Sequence, residues 1–418
     1  MLFTMNKILL FCFFSIIYSA ALYPQSNTLS NSPYSLYGLG TTNQLSTGKT
    51  NALGKAGIAL PSTTFINSLN PASYGAIPLN SFFYDIGLKY EINEMQETGA
   101  EGSATNGNFS NLAFAFPINK RSGVGISLLP YTNVGYTISG VQTEIEGSNE
   151  NFYSYITGSG GLNEIKLNYG LSISERFRIG ASGSYLFGKI SENEVDYINS
   201  NILEFTEANR YNGFRVALGL QYDASEKISF GSTIKLPTSL SGTQEQTMDL
   251  YLDGTTLVES SEAEDDIDAF SLPLEVGLGL NARLRKNLSL NLDYTKELWT
   301  STNQEDGLGS YVDQDVVGLG MEFSTNGSPL SYANRIQYRA GLNYSSGNLE
   351  ISGEKISDYG VSIGLGLPVQ QDRNSMFNLM YSYGKKGQVS NGLIQENYHQ
   401  FSLNISLEDI WFLKSKFQ

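Results

Sequence analysis

The strongest constraint on the fold is an alternation of apolar and polar residues with a period of two. Between Phe401 and Glu408 every odd position is apolar and every even position is polar. A strand with one face on a soluble core would give the same pattern. Here, however, the pattern recurs along most of the chain in segments closed by turns, and glycine and polar residues occupy the face that would form the core. This combination predicts a transmembrane β-barrel with a polar interior.

The composition supports a barrel in an outer membrane. The 418 residues include 26 Lys or Arg and 41 Asp or Glu, so only 16% are charged, while Tyr (26), Phe (22) and Gly (43) are abundant. Past the N-terminal leader, no apolar run is long enough for a membrane helix. The formal net charge of −15 excludes nucleic acid as a partner, because phosphates require a basic surface.

The first 26 residues have the organisation of a cleaved signal peptide. Lys7 provides a positive charge, Ile8 to Ile17 an apolar stretch, and Tyr18 to Ala21 a small-residue cleavage site. We therefore expect the mature chain to begin between Ala21 and Asn27. The single cysteine, Cys12, would be removed with the leader, which leaves no disulfide, thiol nucleophile or lipidated cysteine.

Residues 81–418 contain fourteen strand-like segments and are predicted to form the barrel domain. Short polar turns alternate with long polar stretches at residues 140–160, 242–269 and 300–313. This asymmetry predicts extracellular long loops, periplasmic short turns, and both termini in the periplasm. The segments start near Ser81, Asn108, Gly123, Leu162, Phe177, Asn212, Ile228, Phe270, Leu288, Val316, Ile336, Tyr359, Met376 and Tyr398.

Parity assigns one face of each strand to lipid and the other to the lumen. Apolar positions such as Leu278, Leu280, Leu290 and Leu292 should face outward. The opposite parity carries glycines and charges of both signs, which suit a polar lumen better than lipid or a dry core. The charges predicted to face the lumen are Asp85, Lys89, Arg178, Arg215, Glu275, Arg283, Asp293, Glu322 and Arg339.

Residues 27–80 precede the first strand and are predicted to plug the barrel. They are rich in Gly, Ser and Asn, lack a sustained periodicity, and are too many for a linker in a compact domain. The complete prediction is an all-β fold, a 14-stranded antiparallel transmembrane β-barrel with an N-terminal plug in its lumen.

Several short motifs resemble a known family. The run TNALGKAGIA at residues 50–59, followed by Asn70-Pro71-Ala72, is similar to the N-terminal hatch of FadL-type outer-membrane transporters. The run YRAG at residues 338–341 is similar to the late strands of the same family. The opening SPYSLYG at residues 32–38 and the end WFLK at residues 411–414 resemble a Bacteroidota branch of such barrels. The resemblance covers nearly all of the mature chain.

The resemblance implies a passive outer-membrane channel for hydrophobic small molecules, either long-chain fatty acids or aromatic hydrocarbons. Members of the family release such ligands sideways into the membrane lipids through a gap at a kink in the third strand. Pro130 lies in the third predicted strand, where a missing N–H marks a bulge or a local break. A proline tolerated near the strand's end is the alternative interpretation.

A different class of function remains open. Barrels of this type also act as docking, shuttle or structural subunits of outer-membrane protein assemblies, PorV of the type IX secretion system among them. Transport predicts a continuous apolar pocket beneath the extracellular loops. A role with protein partners predicts an exposed apolar patch on the loops and a blocked lumen.

Catalysis, metal binding and cofactor binding are not expected. A lipid hydrolase would have to use the single histidine, His399, whose parity places it on the outer face. The acidic run from Glu259 to Asp268 could hold cations, but it lacks the spacing of an EF-hand loop and is interpreted as a solvated loop. Whether residues 409–418 extend the last strand is left open.

Overall fold

The computed structural model describes residues 32–43, 46–144, 151–306, 309–325, 331–369 and 374–410. The predicted signal peptide (residues 1–26), the start of the predicted plug and the motif at residues 411–414 lie outside the described residues. Within those ranges, no helix has the length and apolar character needed to cross a membrane.

The described chain is almost entirely β-structure, with five short 3-10 helices. The helices are Pro33–Leu36, Gly48–Leu53, Pro71–Ala76, Trp299–Thr302 and Tyr332–Arg335. The strands are β1 (Thr41–Thr42), β2 (Ser81–Glu97), β3 (Ala100–Asn119), β4 (Ser122–Pro130), β5 (Thr132–Glu144), β6 (Asn151–Ser172), β7 (Phe177–Ile198), β8 (Asn201–Asp223), β9 (Ile228–Lys235), β10 (Thr238–Leu252), β11 (Thr256–Leu272), β12 (Glu275–Arg285), β13 (Leu288–Glu297), β14 (Glu305–Asp306), β15 (Gly309–Tyr311), β16 (Gln314–Ser324), β17 (Gln337–Ser345), β18 (Leu349–Ile351), β19 (Glu354–Lys355), β20 (Asp358–Pro368), β21 (Met376–Lys386) and β22 (Gln395–Ile410).

The wall is a closed antiparallel barrel of fourteen strands, which confirms the predicted fold class. Successive strands pair with one another, and β22 returns to pair with β2, so the sheet closes on itself. Three of the fourteen wall strands consist of two segments each: β4 with β5, β9 with β10, and β11 with β12. Each break lies at a proline, Pro130, Pro237 or Pro273, which has no N–H to donate to a neighbouring strand.

The outer face has an apolar belt. Phe214 is 76% exposed and Leu278 is 54% exposed, whereas residues one position away, such as Arg215 and Gly277, are buried. His399 also lies on the outer face, where its ring contacts Tyr381 and Tyr383. An exposed apolar surface of this extent fits lipid rather than water.

One end of the barrel, called here the turn end, carries the connections at residues 120–121, 173–176, 224–227 and 286–287. The opposite end, called here the loop end, carries tight turns at residues 98–99, 199–200 and 253–255 as well as longer connections at residues 298–313 and 346–357. The prediction that residues 140–160 and 242–269 are long loops was wrong. Residues 242–251 pair with β8, residues 242–252 pair with residues 256–267, and residues 153–160 pair with both β5 and β7. These strand extensions carry polar residues on both faces, so an apolar/polar alternation could not detect them.

At the loop end, β5, β6, β7, β8, β10 and β11 therefore continue past the apolar belt as a six-stranded sheet, which we call the projecting sheet. The third predicted loop, residues 300–313, contributes part of a 3-10 helix and β15, which pairs with β18 in a small separate sheet. The acidic run from Glu259 to Asp268 lies in β11 rather than in a loop.

Two leucines of β12 test the position of the belt. Leu278 and Leu284 are both outward-facing and almost equally exposed, at 54% and 55%, but Leu284 lies next to the turn at residues 286–287. Leu278→Arg should destabilise the barrel by about 2 to 4 kcal/mol, the cost of a cation near the bilayer midplane, and Leu284→Arg by about 0 to 1 kcal/mol. Equilibrium unfolding in lipid vesicles measures both, and equal losses would contradict this position.

Candidate functional site

The N-terminal segment before β2 lies inside the barrel and packs on its glycine-bearing inner face. A Cβ at Gly341 would overlap the backbone of Gly54, and one at Gly320 would meet the Leu53 carbonyl oxygen at 2.5 Å. The inner glycines therefore leave the space into which the plug backbone fits. Gly54 itself has φ +60°, a conformation that favours glycine, where the helix Gly48–Leu53 ends.

Asn70, Pro71 and Ala72 form another close contact between the plug and the wall. The Asn70 side chain accepts a hydrogen bond from Ala72 N (3.0 Å), which caps the helix Pro71–Ala76, and donates to Leu220 O of the barrel wall (3.1 Å). Pro71 occupies the first helical position, where no N–H is needed. The three residues thus start a helix and bind it to β8.

Barrel side chains satisfy other backbone groups of the plug. The Asp293 carboxylate accepts hydrogen bonds from Gly57 N (2.6 Å) and Ile58 N (2.8 Å). Gln221 donates to the carbonyl oxygens of Ile58 and Leu60, each at 2.9 Å. Because buried backbone groups without partners are costly, these bonds specify how the plug sits in the lumen.

The remaining predicted charges line the same interior, mostly in pairs. Glu322 bridges Lys49 of the plug (2.7 Å) and Arg339 of β17 (2.9 Å). Arg215 pairs with Glu275 at 2.7 Å. Further partners are Asp223 for Arg178, Glu91 for Lys89, and Asn111, Asn404 and Ser406 for Asp85.

Arg283 differs from the others because it is exposed at the turn end of β12. Burying the rest of these charges is tolerated because each has an opposite charge or several hydrogen-bonding partners.

A chamber remains between the plug and the loop end of the wall. It has two adjoining parts that share lining residues, of about 220 Å³ and about 150 Å³. The first reaches Tyr37, Trp299 and Tyr311 beneath the loops, and the second reaches Phe109 and Pro130 in the wall. The residues that line both parts are Thr41, Thr42, Asn43, Lys55, Asp358 and Lys386.

One wall of the chamber borders an apolar cluster. Leu39 of the plug packs there with buried residues of five wall strands and of the helix at Trp299, namely Tyr131, Leu162, Leu186, Leu240, Phe270, Leu272 and Trp299. Trp299 and Tyr311 stack with ring centroids 5.0 Å apart. The chamber therefore combines an aromatic side with the charged groups of Lys55, Asp358 and Lys386.

The wall is open beside the second part of the chamber. The ladder between β3 and β4 ends at the pair Leu112–Leu128, although β3 continues as far as Ala100. Beyond that pair β3 bonds only to β2, while β5 pairs with β6 and, inside the lumen, with β1 of the plug. A lateral opening thus separates β3 from β5.

Pro130 lies where this opening begins. Tyr131 N donates to Leu162 O of β6 (2.7 Å), so the nitrogen of Pro130 points the other way, toward β3. The missing N–H is therefore the donor that the next β3–β4 pairing would need. Asn43 N of the plug donates to Tyr131 O (2.8 Å), which holds the bent strand inside the lumen.

Several residues of the chamber and the wall were missed by sequence reasoning. Lys55, Asp358 and Lys386 meet in the chamber from three distant parts of the chain, and no spacing links them. Pro237 and Pro273 carry the same signal as Pro130 and could have been noticed. The apolar cluster around Leu39 occupies inward-facing positions that were expected to be polar.

The fold has known relatives among solved structures. The toluene transporter TodX of P. putida aligns with TM-score 0.62 and 16% identity, over 89% of this chain and 100% of that one. The toluene transporter TbuX of Ralstonia pickettii gives 0.59 and 15%, over 87% and 98%. A Pseudomonas aeruginosa FadL homologue gives 0.57 and 13%, over 88% and 99%.

At such low identity these structural alignments show the fold alone, which is the plugged barrel of the FadL type. Comparison with curated proteins gives no match. A family model described as BamG matches residues 5–418. The chain belongs to the BamG family. A BamG-family chain thus has a FadL-type barrel. Toluene is named as the ligand of TodX and TbuX, and that naming applies to those two proteins.

Two glycines of β7 test the docking of the plug in this BamG-family barrel. A Cβ at Gly180 would overlap the Pro71 carbonyl carbon, whereas one at Gly183 would have no neighbour within 4 Å. Gly180→Ala should therefore cost about 1 to 3 kcal/mol through overpacking, and Gly183→Ala should cost little. Thermal unfolding in detergent compares the two. A matching loss in both variants would mean that the plug does not pack at Gly180.

Proposed function

We propose that this protein is a passive outer-membrane channel for hydrophobic small molecules, with lateral release between β3 and β5. The observation that carries the proposal is the opening in the wall, because each strand of a barrel in lipid otherwise forms hydrogen bonds with both of its neighbours. The opening begins beside Leu88 and Tyr90, which are 52% and 46% exposed on the outer face, so it lies within the apolar belt.

The route would run from the loop end, through the aromatic part of the chamber, past Lys55, to the opening at Pro130. We infer that the loop end is extracellular and that both termini are periplasmic, because the connections of residues 298–313 and 346–357 lie at the loop end, and the longer loops of such barrels are extracellular. In this scheme residues 27–80 form the plug domain and residues 81–418 the barrel domain. The membrane lipids beside Pro130 receive the ligand.

The lining of the chamber favours one ligand class. A molecule with an apolar body and an anionic end, such as a long-chain fatty acid, would place its chain against Trp299 and Tyr311 and its carboxylate near Lys55 or Lys386. An aromatic hydrocarbon would leave these charges without a partner from the ligand. We therefore propose fatty acids over aromatic hydrocarbons.

A second candidate function is that of a subunit in an outer-membrane protein assembly. The projecting sheet favours it, because six strands rise past the belt without enclosing the chamber, and a channel does not require them. The BamG family match is compatible with either function. Loss of a co-purifying protein upon shortening the projecting sheet, with uptake unchanged, would support this candidate.

The lateral opening predicts a defined effect on uptake. Pro130→Ala restores an N–H toward β3, and Ser110→Trp places a large ring at the edge of the opening, so both should slow uptake of a long-chain fatty acid. Ile126→Ala, on the outer face of the same strand, is the matched control. Radiolabelled uptake is compared in cells with equal surface levels of each variant.

If uptake does not depend on the barrel at all, the transport proposal is wrong and the assembly role is favoured. If uptake depends on the barrel but is insensitive at both Pro130 and Ser110, release does not occur through this opening.

The ligand class is tested by removing one charge from the chamber. Lys55→Met keeps most of the side-chain length but loses the ammonium, so it should weaken fatty-acid binding about tenfold, which corresponds to about 1.4 kcal/mol. Toluene binding should change little. Lys189→Met, on the outer face of the projecting sheet, controls for net charge. Calorimetry in detergent gives both affinities, and an equal effect on the two ligands would contradict an anionic contact at Lys55.

A further inference from the structure

The projecting sheet has an inner face whose side chains are largely part-exposed. On β7 the even-numbered residues from Ser182 to Asp196 share this face, because the pairing of β7 with β6 and β8 runs without a register shift. Ser182, Ser184 and Leu186 of this series are buried in the barrel. Higher on the same face, Glu192, Glu194 and Asp196 are half-exposed.

An apolar row crosses this face from strand to strand. Ile138, Ile156, Glu194, Phe205 and Met248 are successive partners across β5, β6, β7, β8 and β10. Four of the five are apolar, and none belongs to a buried hydrophobic cluster of the described residues. Met248 is 36% exposed. Apolar side chains in a row on an exposed sheet form a surface that a partner can cover.

Carboxylates flank the row on the same face. Glu192 pairs with Glu207 on one side of it, and Asp196 lies beside Ser154 and Leu203 on the other. Burial and the neighbouring Asp196 carboxylate raise the pKa of Glu194 above its usual value. The face therefore gathers negative charge around apolar side chains.

Cations are missing from this face. Residues 136–144, 151–160, 188–198, 201–211, 241–252 and 256–267 contain only two, Lys189 and Arg210, which pair with each other in the ladder and lie on the opposite face. Arg210 is bound there to Glu245 at 2.8 Å. The acidic groups of the inner face thus have no basic partner on it.

We propose that the inner face of the projecting sheet is a docking surface for a basic, amphipathic segment of another protein. Apolar side chains of that segment would cover Ile156, Phe205 and Met248, and its Lys or Arg residues would pair with Glu192, Glu194 and Asp196. A second copy of this chain would bring the same negative face, and lipid phosphates carry the same sign, so neither fits. The inference does not depend on what passes through the chamber.

The test uses the full-length protein in zwitterionic phosphatidylcholine nanodiscs and a short fluorescent peptide that alternates Lys and Leu. Binding should weaken with salt, because exposed charges are screened. A peptide alternating Lys and Ser should bind less tightly, and one alternating Glu and Leu should not bind. Fluorescence anisotropy gives each dissociation constant, with empty nanodiscs subtracted as the lipid background.

Matched charge removals decide between the two faces. The inner-face variant combines Glu192→Gln, Glu194→Gln, Asp196→Asn and Glu207→Gln. The outer-face variant combines Glu204→Gln, Glu245→Gln, Asp249→Asn and Glu262→Gln. We expect the dissociation constant of the Lys–Leu peptide to rise about tenfold or more for the first and less than about twofold for the second.

A third variant, Met248→Ser with Phe205→Ser, should weaken the Lys–Leu peptide but not the Lys–Ser peptide. Equal effects of the inner and outer charge removals would reduce the binding to unspecific attraction and overturn the proposal. Insensitivity to salt, or tight binding of the Glu–Leu peptide, would overturn it as well. If the inner-face variant fails to fold, as judged by heat-modifiable gel mobility, the salt series and the serine variant still decide the result.

Discussion

The need to pair every backbone N–H and C=O in the apolar belt determines the rest of this structure. A lipid environment offers no water to an unpaired group, so the fourteen strands must close, as β22 and β2 do. The missing ladder between β3 and β5 is tolerated because β5, which bends into the lumen, has other partners. On the side away from β6, β5 pairs with Thr41 and Thr42 of the plug. The plug is therefore part of the wall's hydrogen bonding as well as the filling of the lumen.

The interior follows from a second requirement, that the plug backbone approach the wall closely. Inner-face glycines such as Gly341 and Gly180 allow this approach, and Asp293 and Gln221 supply the hydrogen bonds that a shared β-ladder would otherwise provide. Charges that would be prohibitive in a dry core are held as pairs, of which Lys49 with Glu322 joins the plug to the wall directly. The contacts that fix the position of the plug in the lumen therefore also stabilise it there.

Much of the fold was predictable because a barrel in lipid requires one apolar face on every strand, and that face has a period of two. The strands' parity, their number and the lumen-facing charges other than Arg283 follow from it. The projecting sheet could not be predicted this way. Residues such as Asn193 and Glu204 belong to strands that pair in water, where neither face of the sheet must be apolar. The chamber could not be predicted either, because Lys55, Asp358 and Lys386 converge only through the closure of the barrel. Pro130 marked the place of the break in the wall, but the pairing of β5 with the plug has no local signal.

Amide hydrogen exchange along β3 tests the central claim most directly. In the barrel reconstituted in nanodiscs and assigned by nuclear magnetic resonance, successive amides from Leu112 to Ala115, which have partner strands on both sides, should all exchange slowly. From Ala100 to Ser110 every second amide should exchange fast, because its N–H points into the opening, while the alternate amides bonded to β2 remain protected. Uniform protection through both stretches would mean that β3 and β5 pair continuously and that the wall has no lateral opening.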